Sequence, residues 1–445
     1  MKVLILYFAI INIITFFLYG IDKSRAKRNA WRIPELTLIG FAAAGGALGA
    51  FLGMHLFHHK TRKLKFRILI PIFFILWGVF FFRTYKQDAH LDALKSLTGP
   101  QTSETVTEKS GKDSFAPIET ESQLTLVFAG DINLDDNWCV MQNYYANGEE
   151  LSKVIDSNYL SEMQNADIFW VNNEFTFSDR GTPTENKAYT FRSKPENVKL
   201  LQEMGADIVG LANNHIYDYG KDAFLDTLDT LDTAGILYVG AGKNLDAAKA
   251  PVYIEKDGIT IAYVAASRAE KIKLTPQATE TEPGILRCYD NSLFVESIKE
   301  ARQNADYVIA LPHWGTEYST ALEEAQINGA KEYIDAGADI VIGAHTHCVQ
   351  GIGSYNEKPI VYSLGNFWFN EKSLETMLVK VTLTVSQTTD EKGNVTSTIK
   401  DSQFEILPGM QQNCTTAPAE TEKKRKELTD YIYSLPNEKS SRHTP

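Results

Sequence analysis

Cysteine is scarce in this 445-residue chain: Cys139, Cys288, Cys348 and Cys414 are the only four, and no two are spaced C-x-x-C. That spacing excludes a zinc ribbon and a thioredoxin-type pair. One or two disulfides are compatible with the count. Free buried thiols are equally so, and spacing cannot pair them. Also missing is any basic patch interleaved with aromatics. The formal net charge is −12, unevenly spread. Met1–His90 holds 13 Lys or Arg against three acids, Asp22, Glu35 and Asp88. The remainder keeps 31 of the 44 basic and 53 of the 56 acidic residues, a formal charge of −22. Such a field repels nucleic acid and other polyanions unless cations intervene, so no nucleic-acid partner is expected.

Long apolar runs are confined to the N-terminal end: Val3–Tyr19, Leu36–Phe57 and Ile68–Phe82. A membrane-spanning helix needs about 20 mainly apolar residues. The first run is too long for a signal peptide and lacks its small-residue cleavage site. Residues 1–85 therefore read as a helical transmembrane module with two or three membrane segments. Its two basic loops contain Lys23, Arg25, Lys27, Arg28, Arg32 and Lys60, Arg62, Lys63, Lys65, Arg67. If the middle run spans fully, these loops fall on opposite faces and the positive-inside rule gives no answer. If it turns back at Gly45-Gly46, both loops are cytoplasmic. Gly45, Gly49 and Gly53 recur every fourth residue, a spacing that lets helices approach closely. Three spans from an internal N-terminus place the rest of the chain outside the cell. His58 and His59 read as solvated loop residues, with a lipid head-group contact as the alternative.

Residues 86–122 are rich in Ser, Thr, Glu, Lys, Gly and Pro and read as a flexible linker. A folded domain is expected over 123–415. Residues 416–445 form a C-terminal helix over Thr421–Leu435, docked through Leu428, Tyr431, Ile432 and Leu435, and then a disordered tail.

Between these limits, short apolar runs alternate with amphipathic stretches. Strands are expected at 124–130, 167–173, 207–213, 259–265, 306–314, 338–345 and 359–366. Helices are expected at 197–204, 221–234, 291–304 and 321–336. That alternation predicts an α/β domain with a largely parallel sheet. Glu255-Lys256-Asp257-Gly258 signals one hairpin.

Only four histidines lie between His90 and His443: His215, His313, His345 and His347. Each ends, or just follows, an expected strand. Asp131 and Glu174 stand at two more strand ends, and Asn213-Asn214 precede His215. The edge beyond the carboxyl ends of parallel strands is where open α/β sheets bind ligands. Carboxylate, amide and imidazole groups gathered there suit a divalent ion, and a bridging carboxylate suits two. The metal itself cannot be read from such a mixed set, which accepts Mn, Zn or Fe. His345 and His347, two apart, would face one way if extended. Asp131 could instead simply make a turn. Asp218 reads as structural, ahead of the 221–234 helix. Trp314, Glu317 and Tyr318 are expected in the pocket wall.

The order Asp, Asn-His, His, His-x-His resembles the calcineurin-like metallophosphoesterase superfamily. The segments GDINL, NNE, FRSKPENV, ADIVGLANNHIYDYG, HWGTEY, GAHTHCVQGI and YSLGNFWF resemble more closely the CapA family of poly-γ-glutamate capsule biosynthesis proteins. The likeness covers roughly 124–369. It implies a metallophosphoesterase-like layered sheet-and-helix domain. One ion would be held by Asp131, Glu174 and His347, a second by Glu174, Asn214, His313 and His345. It makes His215 the catalytic residue that stabilises the leaving oxygen. Two positions depart from the pattern: Asn133 stands where a His is usual and Glu174 where an Asp is usual, which points to one bound ion or weak hydrolysis. Asn133, Asn213, Arg192 and Asn366 are further candidates for substrate contact. The competing roles are a backbone-bonding turn for Asn213, a surface ion pair for Arg192 and the orienting of a ligand for Asn366. Residues 1–82 resemble a small bacterial membrane domain family of unknown function through Asp22-Lys23, Ala26, Trp31-Arg32-Ile33-Pro34-Glu35, Gly45-Gly46 and His59-Lys60-Thr61. The resemblance implies a membrane-anchored extracellular hydrolase of phosphoester or amide bonds in capsule biosynthesis. Its partners would be the membrane, an anionic polymer or phosphoester substrate, and capsule synthase subunits. The alternative is a non-catalytic polymer-binding or scaffold component.

Overall fold

The protein is described from a computed structural model. It covers residues 118–269, 274–390 and 393–437 of the C-terminal part; of the N-terminal part it covers 2–27, 35–57 and scattered positions up to Trp77. The chain divides into two compact units, Met1–Lys112 and Asp113–Pro445. His58, His59, most of the third apolar run and the linker as far as 117 lie outside the described residues.

In the N-terminal unit the apolar run Val3–Tyr19 lies within a 26-residue helix, Lys2–Lys27, whose last two turns are charged. The middle run is helical over Glu35–Phe41 and again over Ala47–Leu56, with a kink at Gly45, whose φ of 109° only glycine adopts readily. Thr37–Met54 is, by length and composition, long and apolar enough to cross a membrane. The four-residue glycine spacing serves helix packing. A Cβ at Gly49 would lie 2.0 Å from the Asn12 carbonyl oxygen. Asn12 ties the kink down, accepting from Gly49 N at 2.7 Å and donating to the Gly45 carbonyl at 2.9 Å.

The C-terminal unit has eighteen strands among the described residues. They are β1 (Ile118–Ile132), β2 (Ile168–Asn173), β3 (Thr176–Phe177), β4 (Arg192–Ser193), β5 (Ile208–Gly210), β6 (Leu237–Val239), β7 (Ala241–Gly242), β8 (Val252–Lys256), β9 (Ile259–Ser267), β10 (Gly284–Ile285), β11 (Tyr307–His313), β12 (Ile340–Ile342), β13 (Ile352–Tyr355), β14 (Lys358–Val361), β15 (Asn366–Trp368), β16 (Leu374–Thr389), β17 (Val395–Gln412) and β18 (Thr415–Pro418). The expected α/β class holds, but the strands form two large sheets rather than one. The first runs β18-β17-β16-β1-β2-β5-β6, with β15 also on β1; the second runs β13-β14-β12-β11-β9-β8. Within each, the βαβ part is parallel.

The alternation along the strands explains the division. Leu124, Leu126 and Phe128 of β1 share one buried cluster with Ile261 and Tyr263 of β9 and Ile309 and Leu311 of β11. This core lies between the two sheets. The other face of β1, Val127 and Ala129, packs on helices Cys139–Ala146, Ser157–Gln164, Val198–Met204 and Gly220–Ala234. Ala262, Val264, Val308 and Ala310 turn outward to helices Ser292–Asn304 and Glu324–Ala336. Four layers result: helices, sheet, sheet, helices. Strands buried on both faces read as continuous apolar runs, so periodicity could not tell a covering helix from a covering sheet.

The expected hairpin is present, with Asp257 (φ 53°) and Gly258 (φ 73°) turning β8 into β9. A second, much longer one was not expected: β16 and β17 pair from Thr389↔Val395 to Leu374↔Gln411. Its far end draws β1 out to Ile118, inside the stretch read as linker. The fold also continues past 415, through β18 and the helix Glu422–Ser434, which buries Leu428 and Ile432.

Candidate metal centre

The site begins where β1 ends. Gly130 has no side chain, and that allows another backbone to press against it: a Cβ there would lie 1.9 Å from the Gly365 carbonyl oxygen. Asp131 N donates to that same oxygen at 3.1 Å. Here the chain crosses from β14 of the second sheet to β15 of the first, and Asn366 comes into register with Asp131. The crossing is the seam at which both sheets deliver polar residues.

Each sheet supplies different chemistry. Asp131 ends β1, Glu174 follows β2 and Asn214 follows β5. His313 ends β11, and His345 and His347 follow β12. All six are buried. Ligand atoms of Glu174, His313 and His345 lie within 4.8 Å of one another, and so do those of Asp131, Glu174 and His347. His313 Nε2 is 2.8 Å from Asn214 Oδ1 and 2.9 Å from Glu174 Oε1. His347 Nδ1 is 3.4 Å from Asp131 Oδ2 and 3.9 Å from Glu174 Oε2. Glu174 belongs to both groups.

A buried carboxylate must be paired, hydrogen-bonded or bound to a cation. Glu174 Oε1 lies 2.9 Å from His313 Nε2, yet neither oxygen of Glu174 receives a well-directed hydrogen bond, and His345 Nδ1 receives none either. These orphaned lone pairs, in a mixed nitrogen and oxygen donor set, fit one or two divalent ions. Protons cannot replace such ions evenly. Burial, then the neighbouring imidazoles of His313, His347 and His215, holds His345 well below the usual imidazole range. Burial also lowers His347, but Glu174 and Asp131 outweigh it and push His347 up to about 9.

The expectation that His345 and His347 face alike in an extended segment fails. β12 ends at Ile342, and both histidines are left-handed, with φ of 97° and 56°. Non-glycine residues adopt this only where surroundings enforce it. The bends aim the two rings into different groups of ligands.

His215 stands beside the ligands. Its Nδ1 is 2.7 Å from Asp218 Oδ2. The other oxygen of Asp218 is 2.7 Å from the Lys187 ammonium, which also donates to the Asn214 carbonyl. A carboxylate at Nδ1 fixes the tautomer that keeps the proton there. Asp218, read as structural, is thus the partner of His215. Lys187 carries no sequence signal, since nothing in TENKAY distinguishes it from a surface lysine. Asn172 was also missed; its Nδ2 donates to Asp131 Oδ1 at 2.8 Å.

The four residues proposed for substrate contact take other positions. Asn133 Oδ1 accepts from Asp135 N in a turn. Asn213 accepts from His215 N and Ile216 N and donates to the Asn173 carbonyl, so its amide is spent on backbone. The Arg192 guanidinium lies over the Tyr219 ring at 4.3 Å. Asn366 Oδ1 is 2.8 Å from His347 Nδ1, the ligand-orienting position. A cleft of about 150 Å³ opens beside His215 and His347, walled by Trp138, Tyr189, Phe191, Tyr318 and Phe369, with Glu317, Glu371 and Lys372 also lining it. Trp314 is not in that wall: it is buried in the core, donating to the Tyr362 carbonyl.

The family model described as bacterial capsule synthesis protein PGA_cap matches residues 125–371. That of a protein of unknown function, DUF1294, matches residues 12–66. The capsule biosynthesis protein CapA of Bacillus anthracis is 32% identical over 267 residues, covering 58% of this chain and 63% of that protein. The PGA biosynthesis protein CapA of Bacillus subtilis is 36% identical over 187 residues, covering 42% and 48%. The chain thus spans less than two thirds of the length of these relatives. Among solved structures, a 5′-nucleotidase from Candida albicans aligns at 12% identity with a TM-score of 0.36, over 71% of this chain and 54% of that one.

Proposed function

We propose, from the premise that the chain belongs to the bacterial capsule synthesis protein PGA_cap family, that it is a metal-dependent hydrolase anchored in the bacterial cell membrane. Its C-terminal unit would act outside the cell, on a phosphoester or amide bond in the making of an anionic polymer such as poly-γ-glutamate. The observation that carries this reading is the buried Glu174 carboxylate, shared by both groups of ligand atoms and facing His313 at 2.9 Å and His347 at 3.9 Å.

Asp131, Glu174 and His347 would hold one ion, and Glu174, Asn214, His313 and His345 the other. When bound, divalent ions supply Lewis acidity and activation of water. The remaining work falls to the chain. Asp218 holds His215 by Nδ1, leaving Nε2 to meet a leaving oxygen. The aromatic walls of the cleft exclude bulk water, which strengthens every charge interaction inside. The acidic surface opposes an acidic polymer, and bound cations ease that only locally. The Thr37–Met54 helix supports anchoring.

The test uses the full-length chain in detergent. Metal content is measured for wild type and for His345→Ala/His347→Ala, with turnover of phosphodiester and γ-glutamyl substrates in added manganese. Equal metal content in the two proteins sinks the reading. One observation favours a non-catalytic polymer-binding or scaffold role instead: Asn133, at a usual ligand position, is committed to its own turn. Absence of turnover in both wild type and His215→Ala, with both rescuing a capsule defect, would select that role.

A further inference from the structure

Two of the four cysteines have been brought together by the fold. Cys139 opens the helix Cys139–Ala146. Cys414 sits in the two-residue turn between β17 and β18, where Gln412 pairs with Thr415. Asn413 and Cys414 both have positive φ, 50° and 60°. That is the turn in which asparagine followed by glycine is favoured, because both residues must be left-handed. A cysteine in the glycine place is less favourable than glycine, as is Glu357 in the like turn Asn356-Glu357 between β13 and β14.

The surroundings aim it. Asn143, one turn along the same helix as Cys139, donates to the Cys414 carbonyl at 3.3 Å, and Trp368 Nε1 donates to it at 3.0 Å. Cys139 Sγ donates to Glu371 Oε2 at 3.1 Å, while the Glu371 carbonyl accepts from Asn413 N at 3.1 Å. Asn143 and Glu371 thus bring the helix that Cys139 opens against the turn that holds Cys414, both cysteines being free. Cys139 is half-buried and Cys414 buried. The other two cysteines are elsewhere: Cys288 is buried in the core between the second sheet and its helices, and Cys348 rests on Thr346. Packing alone would account for two buried sulfurs as small apolar groups. It does not account for the polar ties from Asn143 and Glu371 that converge on the two cysteines' segments.

We propose that Cys139 and Cys414 are a reversible modification site, forming an intramolecular disulfide at the rim of the metal cleft by exchange with an external disulfide. The Cys139 sulfur, its proton passing by way of Glu371 to water, attacks one sulfur of the oxidant and releases one thiolate. The Cys414 sulfur, likewise deprotonated, then attacks the mixed disulfide and releases the second thiolate. Two thiols lose two protons and two electrons, and one external disulfide is reduced to two thiols. Burial and the Glu371 carboxylate push the Cys139 thiol up, so the first attack is slow at neutral pH. The bond would tie the start of the helix after Trp138 to the turn beside Glu371. Trp138 and Glu371 both line the cleft.

The inference does not depend on hydrolysis or on a bound ion. The full-length chain is incubated in oxidised glutathione, unfolded without reductant, and its free thiols counted by alkylation and peptide mapping. Two of the four thiols should become protected, in a cross-linked pair of peptides containing Cys139 and Cys414. Dithiothreitol should restore four. Cys139→Ser and Cys414→Ser should each leave no intramolecular cross-link. Four reactive thiols after oxidation, stable glutathione adducts without a cross-link, or a cross-link involving Cys288 or Cys348 would each overturn it.

Discussion

The two sheets of the C-terminal unit bring unlike groups to one point. The first contributes oxygen: Asp131, Glu174 and Asn214. The second contributes nitrogen: His313, His345 and His347. Oxygen ligands carry the negative charge that any divalent ion requires, whereas imidazole selects transition ions over magnesium and calcium. For an ion held there, charge and selectivity would be housed in separate layers, joined at the crossing through Gly365.

The sharpest way to break this division is to remove one side at a time. Glu174→Gln keeps the shape and deletes the shared charge. Affinity for every divalent ion should fall, by more than about 100-fold, since even partners of ligands are worth 10–100-fold. His345→Ala/His347→Ala should lose manganese and zinc to a similar degree while keeping a weak magnesium site, read by calorimetry on the full chain. If both variants lose all ions alike, the layers are not specialised. His215→Ala lies outside both ligand sets. Turnover should drop on the order of 100-fold or more with metal content unchanged. Gly130→Ala strikes the seam itself. Its Cβ would overlap the Gly365 carbonyl, so stability should fall by about 2 kcal/mol, the cost of overpacking, with metal lost in the same variant. The smallest effect is expected at Asn172→Ala, which frees one Asp131 oxygen. About tenfold weaker metal binding is the expectation, typical for a supporting hydrogen bond.

Much of the site was legible because histidine is rare here. Four imidazoles at four strand ends are hard to explain by packing; three of them join the groups of ligand atoms and His215 stands beside these. Asp131 and Glu174 were legible for the same positional reason. Roles that depend on a partner were not. Asp218 resembled a residue preceding a helix until His215 was seen beside it, and Trp314 resembled a pocket residue until its ring was found under Tyr362. Lys187 was invisible, because its partners are 27 and 31 residues away and nothing local marks it. The β16–β17 hairpin was missed since β17 is polar and largely exposed over its first half, and β16 alternates instead of giving the continuous apolar run of the other buried strands.

The sequence by itself determined the apolar strands of the parallel parts, the polar residues that stand at or just beyond their ends, and which end of the chain is apolar enough for a membrane. These are local matters, decided by side-chain period and composition. Tertiary structure alone decided that the strands part into two facing sheets, that His345 and His347 bend into left-handed conformations, and that the helix opened by Cys139 lies against the turn that holds Cys414. Each of those depends on contacts between residues far apart in the chain, where close packing and the pairing of buried polar groups, rather than any local preference, fix the outcome.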